Sequence, residues 1–289
     1  MADPENQDLK NNKIPLLAVW MVTYNHGPYI EQAIESVMMQ QTDFDYKLYI
    51  GEDGSPDDTA AICKKLHAKY PDKIELFLNE KNTGAHPNGI KMYHVCFDSG
   101  AKYTALIEGD DYWTDPLKLQ KQVGFLETNP DYSICFHNVD ILKNGSIKTS
   151  HLSLHIPETT TILDLAKRNY IHTCSVIFRN HLFGDFPEYF ATAPVGDYYL
   201  HMLNAKYGKI KYSDAIMGVY RLHGTSVWSS QQQHERELRW ITFLKRIRPE
   251  FPRDVQKVLN RQIDSYQSNQ RNLFWYLRKI KNKIISLAK

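Results

Sequence analysis

The sequence predicts an α/β fold built on a Rossmann-like, mainly parallel twisted sheet with helices on both faces. In the first half of the chain, short apolar runs alternate with segments of helical periodicity, and this β-α-β-α order is typical of parallel sheets. Polar clusters follow four of the apolar runs, as expected where ligands bind at the carboxyl ends of the strands. The 289 residues, 42% hydrophobic and 24% charged, suffice for one large domain with an appendage.

Four strands and four helices are predicted in the first half, each from its apolar spacing and its flanking turn residues. The first strand is a continuous apolar run of the buried type, and the third helix has a proline in its first turn. The predicted strands are Leu16–Thr23, Tyr46–Gly51, Ile74–Leu78 and Tyr103–Ile107, and the helices that follow them are Tyr29–Gln40, Thr59–Tyr70, Pro87–Phe97 and Pro116–Glu127.

Beyond about residue 140 the alternation is less regular. The dipeptide Asn144-Gly145 predicts a hairpin, Asp197–Lys206 a helix and Ile210–Tyr220 a strand. From Gln231 onward we expect three helical stretches, interrupted by two prolines. We therefore divide the chain into a polar tail at 1–13, a main domain at 14–230 and a C-terminal helical region at 231–289 with an appended basic end.

The composition excludes several classes of protein. The formal net charge of +2 is too small to indicate nucleic-acid binding by the whole protein, so we expect no nucleic-acid partner. The first residues are polar, and no window reaches the roughly 20 apolar residues that span a bilayer. The four cysteines are far apart and form no CxxC pair, which argues against a zinc site or a disulfide framework. These features predict a reduced, cytoplasmic protein.

Three carboxylates, those of Glu108, Asp110 and Asp111, stand within four residues directly after the apolar run YTALI. Such groups repel one another unless a cation or strong donors neutralise them, and their oxygen atoms suit a hard divalent cation. A solvated acidic turn is the alternative explanation for an isolated cluster of this kind. The position of the cluster at a strand end, with the loops TYNHGP, EDGSPDD and NEKNTG expected at the same edge, favours a Mg²⁺ or Mn²⁺ site.

Four motifs in this order resemble glycosyltransferase family two, whose members have the GT-A fold. They are TYNHGPYIEQAIESVMMQ, EDGSPDDT, KNTGAHPNGI and YTALIEGDDYWTDPLKLQKQ. The resemblance is continuous over residues 14–140, and later motifs extend it to about residue 228. It implies a nucleotide-sugar-binding half at 14–140 and an acceptor half at 141–230 within the main domain.

The resemblance assigns the donor-binding residues position by position. Those that match the family's nucleoside, ribose and phosphate motifs are Thr23, Tyr24, Asn25, Glu52, Asp53, Asn82, Gly84, Asn88, Glu108, Gly109, Asp110 and Arg221. The family often carries Arg-Asn where this chain has His86-Pro87-Asn88, so an expected positive contact is missing, and Lys91 is a candidate substitute. Glu108 replaces the first aspartate of the family's Asp-x-Asp motif.

The resemblance also implies a Mn²⁺ or Mg²⁺ cofactor. Asp110 is the predicted direct ligand, with Asp111 beside it. His223, in the segment YRLHGTS, matches a histidine that serves family members as a third ligand or a phosphate contact, and imidazole suits Mn²⁺. Arg221 in the same segment suits a phosphate. Trp228 is a candidate for stacking on a sugar, although a packed tryptophan explains it as well.

Asp197, in APVGDYYLHM, matches the family's catalytic-base motif, in which an acid precedes an aromatic-rich helix. The family transfers with inversion, so a carboxylate must deprotonate the acceptor hydroxyl. The alternative is that Asp197 is only a helix N-cap, a common position for aspartate. Asp185 and Asp214 are rival candidates without a comparable motif.

The resemblance implies an enzyme that moves a sugar from a nucleotide diphosphate donor to a hydroxyl of a glycan or lipid-linked acceptor. We expect a UDP-sugar as donor and a surface polysaccharide, such as a lipopolysaccharide or capsule precursor, as product. The alternatives are a non-catalytic nucleotide-sugar-binding protein and a sugar nucleotidyltransferase. The latter usually has a glycine-rich loop and a basic residue after the first strand, which TYNHGPY lacks.

The segment Arg271–Lys289 carries six basic residues and no acids, and its apolar residues fall on one helical face. Such a helix can lie in the headgroup region of an anionic membrane. We therefore expect peripheral attachment to the inner face of the cytoplasmic membrane; a terminal helix that packs on the domain is the alternative.

Overall fold

The computed structural model describes residues 14–223 and 233–268. The predicted polar tail, Trp228, the residues that follow His223 in its motif, and the basic segment Arg271–Lys289 lie outside the described residues.

Within these described ranges, ten strands form one sheet, in the order β3-β2-β1-β4-β9-β6-β10-β5, with β7 paired to β6 and β8 paired to β10. The strands are β1 Leu17–Thr23, β2 Tyr46–Glu52, β3 Ile74–Leu78, β4 Tyr103–Glu108, β5 Tyr112–Trp113, β6 Tyr132–Lys143, β7 Ser146–Thr149, β8 Thr159–Thr160, β9 Ile177–Arg179 and β10 Lys209–Leu222.

Helices follow each of the first four strands, as the sequence predicts, and others lie in the second half. They are α1 Ile30–Met38, α2 Thr59–Lys69, α3 Ala85–Asp98, α4 Lys118–Thr128, α5 Ile162–Leu165, α6 Gly196–Asn204, α7 Gln233–Ile247 and α8, which runs from 253 to the last described residue, 268. In the described residues, no helix is long and apolar enough to cross a bilayer.

The first four strands are parallel and bury both faces of the sheet. Along β1, Ala18 and Trp20 point to the core that contains α3, α6 and α7, whereas Leu17, Val19 and Met21 point to the core that contains α1, α2 and α4. This alternation follows from the two-residue period of a strand, and it explains why β1 reads as an uninterrupted apolar run. The predicted α/β fold with helices on both faces is therefore confirmed.

The second half of the sheet is mixed rather than parallel. β9 lies between β4 and β6 and is antiparallel to both, while β10 is parallel to β6. β5, only two residues long, is antiparallel to β10. The connection between the parallel neighbours β6 and β10 contains the helices α5 and α6, as parallel neighbours require, whereas the antiparallel strands β5 and β9 need no such crossover.

The C-terminal helices are part of the same core as the sheet. Trp240 and Phe243 of α7 and Leu259 of α8 belong to the hydrophobic cluster that contains Trp20 and Tyr198. The ring of Tyr198 in α6 lies 4.9 Å from that of Trp240. Helices α7 and α8 are thus packed on the main domain and cover α6, the helix that carries the candidate base.

Candidate active site

The carboxyl ends of β1, β2 and β4 meet at one edge of the sheet. Thr23 is paired with Glu52, and Val22 with Glu108, so the polar residues at the three strand ends are neighbours. The amide of Asp53 donates to the carbonyl of Thr23 (3.1 Å), and the amide of Gly109 donates to the carbonyl of Val22 (3.0 Å). Backbone hydrogen bonds of the sheet therefore hold the loops that carry these sequence motifs next to one another.

Gly109 allows the acidic loop to approach β1. A Cβ at this position would lie 2.5 Å from Oγ1 and 2.7 Å from Cβ of Thr23, and 3.0 Å from Nδ1 of His26. No side chain fits there unless the loops move apart. The middle residue of Glu108-Gly109-Asp110 thus allows the close packing of the two loops.

Glu52 and Asp53, which the motifs assign to donor binding, are buried, and their carboxylates accept hydrogen bonds from backbone amides. The Glu52 carboxylate accepts hydrogen bonds from the amides of Gly54 (3.2 Å) and Ser55 (2.8 Å). The Asp53 carboxylate accepts from Nδ2 of Asn79 (2.8 Å), from the amide and hydroxyl of Thr83 (2.9 and 2.7 Å) and from the amide of Gly84 (2.8 Å). Asp53 therefore shapes the loop that the resemblance places beneath the nucleoside.

The loop after β1 carries the other predicted nucleoside contacts. Tyr24 is 40% exposed, which leaves its ring accessible to a ligand. Asn25 has a positive φ of 57°, and its amide donates to the hydroxyl of Ser55 (2.9 Å). The same loop is tied to α2, because the amide of His26 donates to the hydroxyl of Thr59 (2.9 Å).

In the asparagine-glycine turn, Oδ1 of Asn82 accepts from the amide of Gly84 (2.8 Å). Asn88 is buried and donates to the carbonyl of Gly51 (2.9 Å), so its amide is used inside the protein. Lys91 donates to Oδ1 of Asn79 (2.8 Å). His86, which stands where the family often has arginine, lies against Gly196 at the start of α6, and its buried Nε2 has no hydrogen-bond partner in the described part of the chain.

The three acids after β4 form a tight group: ligand oxygens of Glu108, Asp110 and Asp111 all lie within 4.8 Å of one another. Burial, followed by the charges of Asp110 and Asp197, raises the pKa of Glu108 to about 8. Burial, with Asp110 and Glu108 nearby, also raises the pKa of Asp111. Oδ2 of Asp111 is buried and has no hydrogen-bond partner among the described residues. The negative charges of these three carboxylates repel one another, and a bound cation would relieve that repulsion.

Two histidines face the acidic group. Nε2 of His223 lies 2.7 Å from Oδ2 of Asp110, and Nε2 of His26 lies 3.9 Å from the same oxygen. Burial opposes the charged form of Asp110, but the hydrogen bond from His223 and the proximity of His26 lower its pKa. His26 was not among the residues selected from the sequence. The available signal was its position three residues beyond the end of β1, in the TYNHGP loop.

Arg221 holds the acidic loop in place. Its amide donates to Oδ1 of Asp111 (2.8 Å), and its Nε donates to the carbonyl of Asp110 (2.7 Å). The guanidinium lies over the rings of Tyr29 (4.5 Å) and Tyr112 (5.3 Å). In this structure, Arg221 therefore contacts protein groups around the predicted phosphate position.

Asp197 lies within the first turn of α6, and Val195 is the N-cap residue, so Asp197 is not itself the N-cap. Its Oδ2 accepts from the hydroxyl of Thr173 (3.4 Å), and burial raises its pKa. The charge of Asp197 also raises the pKa of Glu108, so the two carboxylates are close enough to interact electrostatically. The rival candidates Asp185 and Asp214 are both exposed.

The donor set suits a divalent cation. Asp110 and Asp111 offer oxygen ligands, among them the buried Oδ2 of Asp111 that has no hydrogen-bond partner in the described residues, and His223 offers a nitrogen 2.7 Å from Asp110. The surplus of carboxylates would be balanced by a 2+ ion. Carboxylate oxygens suit Mg²⁺ and Mn²⁺ alike, whereas imidazole suits Mn²⁺ better.

A Rossmann-like sheet of this strand order, with an acidic motif at the end of the fourth strand, defines the GT-A class of fold. The chain belongs to Glycosyl transferase family 2, whose family model matches residues 18–183.

The relatives include an uncharacterised protein of Mycobacterium tuberculosis, 34% identical over 228 residues. This match covers 78% of the present chain and 64% of the mycobacterial protein, so the chain spans under two thirds of that relative's length.

Solved structures share the fold. S. aureus TarS residues 1–349 in complex with UDP-GlcNAc superposes with a TM-score of 0.63 at 18% identity, covering 87% of this chain and 72% of TarS. The mannosyltransferase PcManGT from Pyrobaculum calidifontis, in complex with GDP-Man and Mn²⁺, also superposes with a TM-score of 0.63, at 15% identity. This match covers 87% of the present chain and 69% of the PcManGT chain.

Proposed function

We propose that this chain is a metal-dependent, inverting glycosyltransferase that moves a sugar from a nucleotide diphosphate donor to a hydroxyl acceptor. The observation that carries the proposal is the meeting of Asp110 and His223 at the end of β4, where Nε2 of His223 lies 2.7 Å from Oδ2 of Asp110. Membership of Glycosyl transferase family 2 supports the reaction class.

In this proposal, Asp110, Asp111 and His223 hold a Mn²⁺ or Mg²⁺ ion. When bound, the cation supplies positive charge that stabilises the departing nucleotide diphosphate. Arg221 keeps the acidic loop closed on β10 through its bonds to Asp110 and Asp111. The backbone around Thr23, Asp53 and Gly84 forms the nucleoside side of the site.

Asp197 is proposed as the general base that removes the proton of the acceptor hydroxyl. Burial raises its pKa above that of an ordinary aspartate, which makes its carboxylate a stronger proton acceptor. The hydroxyl of Thr173 donates to Oδ2 of Asp197 and helps to orient the carboxylate. His86, at the start of α3, lies beside Gly196, the residue before the proposed base.

For the donor we propose a UDP-sugar. TarS was solved with UDP-GlcNAc and PcManGT with GDP-Man, so the fold accommodates either nucleotide and the choice depends on the loops. For the acceptor we propose a glycan or lipid-linked precursor of a surface polysaccharide, as the resemblance of the motifs implies.

The experiment is a panel of UDP- and GDP-sugars incubated with the purified chain and Mn²⁺, with release of nucleotide diphosphate as the readout. We expect release from at least one donor, its loss in EDTA, and its recovery when Mn²⁺ is restored. Release that is indifferent to chelation would contradict the metal role. Donor binding without release in the presence of every acceptor pool would favour a non-catalytic binding protein.

The basic segment Arg271–Lys289 is proposed as a membrane-surface anchor, on the strength of its six basic residues and apolar face. The test is flotation with vesicles that contain anionic lipid, comparing the full chain with one that ends at Ser268. Equal flotation of the two proteins would remove the proposal.

A further inference from the structure

We propose that His26 is an additional protein ligand of the divalent cation, so that two histidines bind it together with the carboxylate of Asp110 and its acidic neighbours, and the site prefers Mn²⁺ to Mg²⁺. This inference rests on the metal site of the proposed function and adds to it a residue and a selectivity. The carrying observation is that His26, Asp110 and His223 each offer a ligand atom, all within 4.8 Å of one another.

The separations match those of ligands around one ion. Nε2 of His223 and Nε2 of His26 lie 2.7 Å and 3.9 Å from Oδ2 of Asp110. In octahedral coordination with bonds of about 2.1 Å, neighbouring ligand atoms are about 3 Å apart and opposite ones about 4.2 Å apart. Small side-chain adjustments would therefore let all three atoms contact the same cation.

His26 is oriented as a ligand is expected to be. Its Nδ1 lies 3.2 Å from the hydroxyl of Thr23, which is itself buried, so Nε2 is the nitrogen directed at Asp110. Ligand histidines almost always use their second ring nitrogen in this way, which fixes the tautomer and the ring plane. The amide of His26 is anchored as well, by its bond to the Thr59 hydroxyl (2.9 Å).

The two imidazoles set the selectivity. Imidazole binds Mn²⁺ and later divalent metals more readily than Mg²⁺, which prefers carboxylate, carbonyl and water oxygens. A site formed by the acids alone would take either ion, whereas one that includes His26 and His223 discriminates against Mg²⁺. The rings of His26 and His223 are 6.0 Å apart and nearly perpendicular, so they approach Asp110 from different sides.

The test measures metal binding to the full chain without donor. Binding of Mn²⁺ is followed by loss of the free-ion EPR signal, and that of Mg²⁺ by competition, in the wild type, in His26→Ala and in the control His151→Ala, an exposed histidine that belongs to neither group of possible metal ligands among the described residues. We expect His26→Ala to weaken Mn²⁺ binding by at least about tenfold and Mg²⁺ binding much less, and His151→Ala to change neither. Equal Mn²⁺ affinity in wild type and His26→Ala overturns the inference.

A measurement on the wild type guards against misfolding of the variant. Pulsed EPR of bound Mn²⁺ should show nitrogen couplings from two imidazoles, and coupling from only one would also overturn the inference. Thr23→Val, which removes the partner of Nδ1, should weaken Mn²⁺ binding less than His26→Ala does.

Donor turnover is measured separately on the same preparations. Chelator-sensitive turnover with unchanged Mn²⁺ affinity in His26→Ala defeats this inference alone, whereas two-histidine binding without turnover defeats only the proposed enzymatic function.

Discussion

Asp110 is the residue on which the proposed chemistry most depends, because it contacts His223 and faces His26 while keeping a lowered pKa. We expect Asp110→Asn to reduce turnover by at least about 100-fold, since a cation at this position contributes several kcal/mol to stabilising the leaving group. Nucleotide diphosphate release under saturating donor measures the effect. Asp214→Asn, at an exposed aspartate, is the control and should retain full activity. An active Asp110→Asn enzyme would contradict the site.

Asp197 is expected to act on the acceptor and not on the donor. Asp197→Asn keeps the shape of the side chain but cannot accept a proton, so transfer should fall by about 10²–10⁴-fold while the donor dissociation constant stays the same. Transfer assays combined with donor titration separate the two quantities. Asp185→Asn is the matched control, at the exposed rival position. If that control lost activity and Asp197→Asn did not, the base would have to be reassigned.

The buried Lys118 makes the stability of the fold depend on pH, and this dependence can be measured independently of the candidate active site. Its side chain is completely buried, 4.0 Å above the Trp113 ring, and burial lowers its pKa from 10.5 to about 7. Because the folded protein disfavours the charged form, the cost to folding is absent above about pH 10.5, grows as the pH falls, and is complete below about pH 7.

We therefore expect Lys118→Met, which is similar in volume, to raise the free energy of unfolding by about 2–4 kcal/mol at pH 6 and by progressively less towards pH 10. Denaturant unfolding at several pH values measures this. Lys64→Met, at an exposed lysine of α2, should show no such trend. A gain at Lys118 that did not vary with pH would refute the explanation.

Among the elements, the hairpin between β6 and β7 is fixed by its turn. Asn144 and Gly145 have φ values of 50° and 76°, the left-handed conformation that two-residue hairpins require. Gly145→Ala should destabilise the hairpin by about 1 kcal/mol, whereas Asn144→Gly keeps the favoured conformation and should have little effect. Hydrogen exchange of the β7 amides should accelerate only in the first variant. Equal exchange in both would mean that the turn does not set the hairpin.

The sequence predicted the first four strands and helices to within about two residues, because each has a clear period and turn residues at its ends. It did not predict β6, although this strand lies in the middle of the sheet. The polar residues His137, Asn138 and Asp140 interrupt its apolar pattern, and pairing with β10 over most of its length compensates for them. β5 and β9, of two and three residues, are too short to show any period.

The candidate site also has features that no local sequence pattern predicts. The motifs predict Asp110, Asp111 and His223, and the structure brings Asp110 close to each of the other two. The packing role of Arg221 and the approach of His26 depend on β10 lying beside β5 and on the close contact at Gly109, which are tertiary features. A histidine in a polar turn gives no local signal that distinguishes a ligand from a surface residue.

At the scale of the whole molecule, donor and metal should stabilise the fold together. A ligand that binds only the native state adds about 2.7 kcal/mol when present at 100 times its dissociation constant. We expect UDP-GlcNAc or UDP with Mn²⁺ to raise the unfolding midpoint by more than the sum of their separate effects, because each ligand completes the site of the other. Differential scanning fluorimetry measures this. In Asp110→Asn the excess should vanish, and purely additive shifts in the wild type would argue against a shared site.

The contact between Gly109 and Thr23 also constrains how this site can vary among homologous chains. A larger residue at 109 would be accommodated only if position 23 were reduced to glycine or the two loops were spread, so these positions should covary as a pair. Since Thr23 also positions His26, a chain that enlarged position 109 would tend to lose the histidine contact as well. The absence of a Cβ at position 109 thus links the packing of the two loops to the proposed preference for Mn²⁺.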